Sequence, residues 1–449
     1  MATASRPLSD RAFALVAWGL AFHVFAMAVL HGPLEVPPST VRLVASWKEL
    51  VLLPLLGLAA WQLARRPERF RPLLPDVAVV ALSLIVVART MLDWAWLGLA
   101  PWSPASVYGA RDLLVPFVLY GVGRMTPELL EHPRLLGRLT TVALVVACIG
   151  FVERLLPIEA LVLAGIPAYF RDFLNLESMT DPAFFGLPHS YFTDLGSVAF
   201  RRAGSVFLSG QSFAIALMLL LPALQLKAMA ATGGGRPARW TAFALGWVAL
   251  LLTVTRMTIV ACAVQAVLLL VLTRRTLAVG GLVALGTGIA GMAVLGSSAV
   301  RDFVWRTVAF QTQSSASHVA DWSDGVVALW EHPVGAGLGT TDLTAARLGR
   351  EPLTADNLLF KYAVELGWPG LVALVAFFVG VVACTWQVAQ RREGPVRQGA
   401  QLALAVTVGI IVYGATGVVT NLTFLAYLWS WITGAAIAHM PDRAAPPAA

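Results

Sequence analysis

Apolar stretches of about 20 residues recur along this chain, and they limit what it can fold into more than any other feature. A stretch of that length is what an α-helix needs to cross the hydrocarbon core of a bilayer. The composition agrees, because 58% of the 449 residues are hydrophobic and only 13% are charged, whereas a soluble domain averages about a quarter. The sequence therefore predicts an all-α polytopic membrane protein, with a single integral membrane domain over residues 1–449.

The apolar stretches predict about twelve membrane-spanning helices, with both termini in the cytoplasm. One stretch needs an argument, because residues 240–273 read as a single helix would be about 50 Å long, far longer than a bilayer is thick. A helical hairpin with its apex at Thr255-Arg256 fits better. The predicted spans are 12–30, 49–64, 73–92, 110–124, 138–156, 208–226, 240–254, 257–273, 276–298, 368–389, 398–417 and 421–439.

The basic residues orient these spans. Of the 32 lysines and arginines, 18 fall in alternate loops, which the positive-inside rule assigns to the cytoplasm. The net charge of +7 therefore needs no nucleic-acid partner. Two long loops, 157–207 and 299–367, are then predicted to be periplasmic, and the second is expected to carry short surface helices.

The cysteines give no sign of a metal centre. Cys148, Cys262 and Cys384 all lie inside apolar runs and lack the spacing of metal ligands. Neither a disulfide framework nor a zinc site is predicted, and no cofactor is expected.

Three arginines at the outward ends of spans need a reason other than the charge rule. Arg201 and Arg202 stand in "RRAGSVFLSGQSFA" before the sixth predicted span, and Arg256 stands in "TVTRMT" at the hairpin apex. Each arginine alone is explained by contact with lipid headgroups or with a nearby carboxylate. Two such sites that meet on one face favour a different use, because planar guanidinium groups are suited to bind a diphosphate.

The second long loop contains further polar and flexible positions. Gly335, Gly337 and Gly339 allow close backbone approach to a ligand, although this glycine spacing is a weak signal. It is not a dinucleotide-binding fingerprint, because no βαβ unit surrounds it. His318 and His332 are candidate ligand-binding or catalytic groups, and the alternative for each is an ordinary surface or capping histidine.

Asp356 and Asn357 open the stretch "TADNLLFKYAVELGWPG". With Thr354 as the N-cap, both residues would lie in the first turn of a short helix that ends at Gly367, where the helix dipole favours acidic residues. Capping alone would explain Asp356. The alternative is that its carboxylate is also directed at a pocket that Arg202 and Arg256 line.

Together these segments resemble the O-antigen polymerase/ligase superfamily of bacterial membrane glycosyltransferases. The resemblance covers under a fifth of the chain, in four patches that occur in the family's order. These patches are "RRAGSVFLSG" at 201–210, "TVTRMT" at 253–258, "WEHPVGAGLGT" at 330–340 and "ADNLLFKYAVELGWPG" at 355–370.

The resemblance implies a fold of the type C glycosyltransferase kind in the bacterial inner membrane. It implies a glycan donor on undecaprenyl diphosphate, a glycan or lipid-linked acceptor, and metal-independent inverting transfer on the periplasmic face. A chain-length regulator and a flippase are implied as partners. By matched position, Arg202 and Arg256 would bind the diphosphate, with Arg201, Asn357, His332, Gly335 and Gly337 as further substrate-binding residues.

Asp356 falls where ligases of the family place a histidine. This departure favours a polymerase, as does "SSASH", which ends at His318 and resembles a patch of polymerase members. Asp356 and His318 are then the candidate catalytic residues. The product would be O-antigen, capsule or exopolysaccharide.

Three other functions remain open at this stage. A ligase that joins the finished glycan to lipid A–core differs from a polymerase only in its acceptor. A transporter is disfavoured because the sequence shows no inverted repeat and no cluster of ionisable residues at the middle of a span, where transporters place theirs. In a structural membrane subunit, the outward arginines would be lipid contacts.

Overall fold

The computed structural model describes residues 8–65, 70–96, 104–195, 198–275, 313–353 and 357–441, with isolated residues between 276 and 312. Helices coincide with eleven of the predicted spans in these ranges, and the span predicted at 276–298 lies almost entirely outside them. Seven helices in the described part are long and apolar enough to cross a membrane. The protein is therefore a helical, multi-pass membrane protein, and the count of twelve spans stays a prediction.

The described residues form a set of long helices joined by shorter helices and turns. The long helices are Leu8–His31, Leu52–Arg65, Leu74–Trp96, Pro104–Met125, Arg134–Leu155, Gly210–Met229, Arg236–Leu252, Arg256–Leu272, Gln313–Glu331, Leu358–Arg391, Gly394–Tyr413 and Thr423–Ile437. Shorter helices and helical turns are Pro38–Ala45, Trp47–Leu50, Glu128–Glu131, Ile158–Leu163, Ile166–Ala168, Tyr169–Phe173, Glu177–Met179, Pro182–Phe184, His189–Tyr191, Ser205–Phe207, Gly233–Gly235, Asp342–Arg347 and Val419–Asn421.

The helix Gly210–Met229 forms the centre of the bundle. It is apolar on all sides and almost every one of its side chains is buried, as expected for a helix without a polar face. It packs against the helices Arg134–Leu155, Arg236–Leu252, Arg256–Leu272 and Gly394–Tyr413. Its first turn is therefore held in place from several directions.

The hairpin predicted within residues 240–273 is confirmed. One helix ends at Leu252 and the next begins at Arg256, so only three residues form the turn. Val254 adopts a left-handed conformation, with φ of 49°, which reverses the chain. Arg256 consequently stands at the start of its helix.

The segment 157–207 departs from a purely helical fold, because it contains two short antiparallel β-ribbons. Thr180–Asp181 pairs with Leu187–Pro188, and Phe192–Leu195 pairs with Val198–Arg201. Phe192 lies opposite Arg201 in the second ribbon. The ribbon thus ends immediately before Arg202.

The predicted break at Gly367 takes the form of a kink. Leu358–Arg391 runs as two helical segments joined at Gly367, which has φ of 71° and ψ of −167°. The backbone of Pro333 and Val334 occupies the space where a side chain on Gly367 would lie. The segment before the kink packs into the protein interior, since Lys361, Tyr362 and Glu365 are at most 2% exposed.

Candidate functional site

Arg202 is held rigidly at the base of the candidate site. Its Nε donates a hydrogen bond to the carbonyl oxygen of Thr253 at 2.6 Å, and its Nη2 donates to Oγ1 of Thr255 at 2.6 Å. Its backbone N–H donates to the Tyr191 carbonyl. Both side-chain partners are neutral oxygens, so within the described residues no carboxylate neutralises the Arg202 guanidinium.

Arg256 is close enough to Arg202 for their charges to repel each other. Burial lowers the pKa of the Arg202 guanidinium to about 10, and the positive charge of Arg256 acts in the same direction. Arg202 nevertheless keeps its charge at neutral pH. The two arginines that the sequence predicted to meet are therefore neighbours, and an anion between them would relieve their repulsion.

His318, on the helix Gln313–Glu331, lies in the same neighbourhood. Burial lowers the pKa of its imidazole; Asp321, whose Oδ2 is 3.9 Å from His318 Nδ1, opposes this shift, and Arg256 adds to it. The buried Nδ1 has no hydrogen-bond partner among the described residues. A neutral imidazole with an unused ring nitrogen is suited to accept a proton.

Asn357 joins two elements at the edge of this group. Its Oδ1 accepts a hydrogen bond from the Phe360 N–H at 3.0 Å, and its Nδ2 donates to the Ala415 carbonyl at 2.9 Å. Trp322 Nε1 donates to the same carbonyl at 2.8 Å. The helices that carry His318 and Asn357 are thus tied to one loop, the one that follows Tyr413.

The expected N-cap at Thr354 is wrong. The helix begins at Leu358 with Asn357 as its cap, so Asn357 precedes the first turn instead of lying within it. An asparagine oxygen directed at the N3 N–H satisfies a helix start without help from upstream residues. Thr354 and Asp356 lie outside the described residues, and the catalytic role of Asp356 stays a prediction.

Three helices begin around this group. Ser209 caps the helix Gly210–Met229, Thr255 precedes the helix that starts at Arg256, and Asn357 caps the third. Gln211 in the first of these helices donates to the Tyr413 hydroxyl at 2.9 Å, which connects it to the loop that anchors Asn357. Helix N-termini carry partial positive charge, so they add to the attraction for an anion.

Arg201 has a different environment from Arg202. Its Nη2 lies 3.2, 2.6 and 2.7 Å from the carbonyl oxygens of Glu153, Arg154 and Leu156, to which it donates. These carbonyls close the helix Arg134–Leu155, where a cation interacts favourably with the helix dipole. The structure therefore gives Arg201 a capping role, and its substrate-binding role stays a prediction.

The glycine patch packs against the protein's own backbone. A Cβ on Gly335 would lie 2.5 Å from the Glu365 carbonyl oxygen, and one on Gly339 would collide with the Ala105 carbonyl. Gly335 and Gly337 have φ of 98° and 112°, which side chains rarely adopt. These contacts explain the close approach that the sequence assigned to a ligand, and ligand binding by Gly335 and Gly337 is untested.

His332 stands apart from the other candidates. It follows the end of the helix Gln313–Glu331 and is exposed. Fourteen residues separate it from His318, which corresponds to about 21 Å along a helix. The structure does not bring His332 to the arginines.

Sequence reasoning missed Glu153. Its Oε2 accepts hydrogen bonds from the backbone N–H groups of Gly204 at 2.8 Å and Ser205 at 2.7 Å. These residues lie two and three positions after Arg202, so the buried carboxylate fixes the loop that carries the arginine. The available signal was an acidic residue in an apolar span, which is costly and marks a specific role.

A second omission is a buried ion-pair network beside the kink. Lys361 Nζ lies 2.6 Å from Asp342 Oδ2 and 3.8 Å from Glu365 Oε1, and these side chains are at most 2% exposed. Thr341 Oγ1 donates to Glu365 Oε1 at 2.5 Å. The network lies in the segment 299–367, outside the predicted spans, and sequence reasoning could not find it because its charges are far apart in sequence and neutralise one another only in space.

A family model described as O-antigen ligase matches residues 241–375. Over this segment the chain is similar to that family, which supports the resemblance to the O-antigen polymerase/ligase superfamily. It includes Arg256, His318 and the glycine patch, whereas Arg202 lies outside it. The match covers less than a third of the chain, and at the family level it supports O-antigen ligase or polymerase chemistry. No curated protein matches the chain significantly.

Proposed function

We propose that the protein polymerises oligosaccharide repeat units carried on undecaprenyl diphosphate, on the periplasmic face of the bacterial inner membrane. The observation that carries the proposal is the position of Arg202. Its guanidinium is fixed by Thr253 and Thr255 beside Arg256, and both of its hydrogen bonds go to neutral oxygens. A site built this way is suited to a diphosphate.

The chemistry follows from the charge that develops during transfer. Negative charge grows on the lipid diphosphate as its bond to the sugar breaks, so arginines fixed at that oxygen stabilise the transition state more than the ground state. A base aligned with the acceptor hydroxyl contributes about 10²–10⁴-fold. His318 or Asp356 supplies that base, and direct attack inverts the anomeric centre.

The loops and helices around the site bind the other parts of the substrate. The segments 157–207 and 299–367 are periplasmic loops that bind the sugars, the lipid tail lies between helices, and both termini are cytoplasmic. A chain-length regulator and a flippase act with the protein. No metal or cofactor takes part in the transfer.

The second candidate is a ligase that transfers the finished glycan to lipid A–core, favoured by the match to a family model described as O-antigen ligase. The two candidates share the donor, the membrane face and the arginines, and they differ in the acceptor.

Deletion of the gene for this protein from its host distinguishes the two candidates. The polymerase predicts single repeat units on the lipid carrier, and the ligase predicts full-length polymer on the carrier with bare lipid A–core. Unchanged polysaccharide and carrier-linked intermediates would contradict both.

A further inference from the structure

A cavity of about 1290 Å³ opens among the helix ends far from Arg202. The helix Leu358–Arg391 shows the separation, because the Leu358 N–H donates to the Gly414 carbonyl beside the candidate site, whereas Arg391 lines the cavity. The 24 residues from Gly367 to Arg391 correspond to about 36 Å of helix. The cavity is therefore a separate site at the opposite end of the bundle.

One wall of the cavity is built by a buried ion pair. Arg124 Nε donates to Asp76 Oδ1 at 2.8 Å, and its Nη2 donates to Asp76 Oδ2 at 3.0 Å and to the Arg71 carbonyl at 2.9 Å. The Tyr120 hydroxyl and the Leu73 N–H also donate to this carboxylate, each at 2.8 Å. Asp76 neutralises Arg124, so this pair shapes the wall.

Besides Arg124, the described residues of the cavity lining include three arginines and two glutamates. Arg65, Arg71 and Arg391 line the cavity and are exposed, and Glu128 and Glu131 lie on one short helix of the lining. Apolar side chains alternate with them; the Arg65 guanidinium lies 4.0 Å from the centre of the Trp61 ring. A lining that presents exposed guanidinium groups beside apolar side chains complements an amphiphile with an anionic head.

We propose that this cavity binds the headgroup of an anionic phospholipid, with the phosphate held by Arg65 and Arg391. Guanidinium groups bind phosphate oxygens through paired hydrogen bonds, and the cavity lies at the helix ends where basic residues cluster. The apolar lining accommodates the glycerol and the first acyl carbons. The inference is independent of the proposed function, because it uses neither Arg202 nor Arg256.

The test is native mass spectrometry of the full-length protein. Phosphatidylglycerol or phosphatidylcholine is added to the detergent-solubilised protein, and the lipid that stays bound is measured after the detergent is removed. The wild type should retain phosphatidylglycerol in preference to phosphatidylcholine. The double variant Arg65→Gln/Arg391→Gln should retain phosphatidylglycerol about tenfold less well. The matched control is Arg236→Gln/Arg239→Gln, which removes the same charge from exposed positions outside the cavity and should behave as the wild type.

Two outcomes would overturn the assignment. Equal losses in the cavity variant and the control would mean that surface charge alone attracts the lipid. Displacement of phosphatidylglycerol by an equal concentration of inorganic phosphate would assign a free-phosphate site. A loss confined to the cavity variant, together with resistance to inorganic phosphate, would support a lipid headgroup site.

Discussion

Arg202 Nη2 donates a hydrogen bond of 2.6 Å to Oγ1 of Thr255, the residue that immediately precedes Arg256. This single contact joins two segments that are some fifty positions apart and brings two arginines onto one surface. The partner is a neutral hydroxyl oxygen, so this contact does not compensate the positive charge of Arg202.

The first prediction concerns the shape of the Arg202 side chain. Arg202→Lys keeps the positive charge but loses the planar fork, and it cannot reach Thr253 and Thr255 together. In a deletion strain, this variant should restore about a hundredfold less polymer than the wild type at equal membrane levels. Arg239→Lys is the matched control, because Arg239 is exposed and lies outside both loops proposed to bind the sugars. Normal polymer from Arg202→Lys would argue against the role of Arg202.

The second prediction treats Glu153 as a positioning residue. Glu153→Leu leaves the N–H groups of Gly204 and Ser205 without their acceptor, which costs about 1–3 kcal/mol for each. The loop should shift and displace Arg202, so the apparent KM for the lipid-linked donor should rise. Glu153→Gln keeps an acceptor oxygen and should recover most of the wild-type KM. A purely structural role would instead lower the amount of folded protein without changing KM.

The third prediction concerns pH. Burial lowers the pKa of His318 below its ordinary value of 6.5, so a base at this position stays neutral at pH 7 and loses activity only when the pH falls below 6.5. His318→Asn should remove this acidic limb as well as lower turnover. If the limb persists in the variant, the base is another group.

The same shift affects stability with a defined sign. A histidine whose folded-state pKa is depressed binds more protons when unfolded, so its contribution to stability is fully present above pH 6.5 and is lost as the pH falls through the window below it. Thermal unfolding of the wild type and His318→Asn should therefore diverge only on the acidic side.

The fourth prediction concerns the buried network at the kink. Lys361→Met leaves Asp342 and Glu365 as uncompensated buried charges, which costs about 3–5 kcal/mol. The melting temperature in detergent should fall sharply. Lys361→Met/Asp342→Asn removes one of the stranded charges and should be more stable than the single variant. A double variant less stable than the single one would contradict this account of the network.

The helices were predictable from sequence because each apolar stretch is, by its own length and composition, suited to cross a bilayer as a helix. The hairpin turn before Arg256 was predictable for the same reason, since bilayer thickness excludes a single long helix there. Local patterning also located the kink at Gly367. Local patterning did not identify the N-cap of the helix that starts at Leu358. Thr354 and Asn357 are both residue types that cap helices well, and three-dimensional packing selects between them.

Side-chain contacts between residues far apart along the chain could not be predicted from local sequence patterns. Arg201 and Arg202 are adjacent and chemically identical, yet one closes a helix and the other faces Arg256. Lys361 and Asp342 are 19 positions apart, and neither spacing nor composition reveals their ion pair. Only the folded chain shows that Arg201 donates to the carbonyls at a helix end, whereas Arg202 donates to Thr253 and Thr255.

The most direct test of the central claim is binding of undecaprenyl diphosphate to the purified protein, compared among the wild type, Arg202→Lys, Arg256→Lys and Arg239→Lys. We expect the wild type and Arg239→Lys to bind with the same Kd, and each of the other two variants to bind about tenfold or more weakly. Equal Kd values for all four proteins would contradict the assignment of Arg202 and Arg256 to the diphosphate.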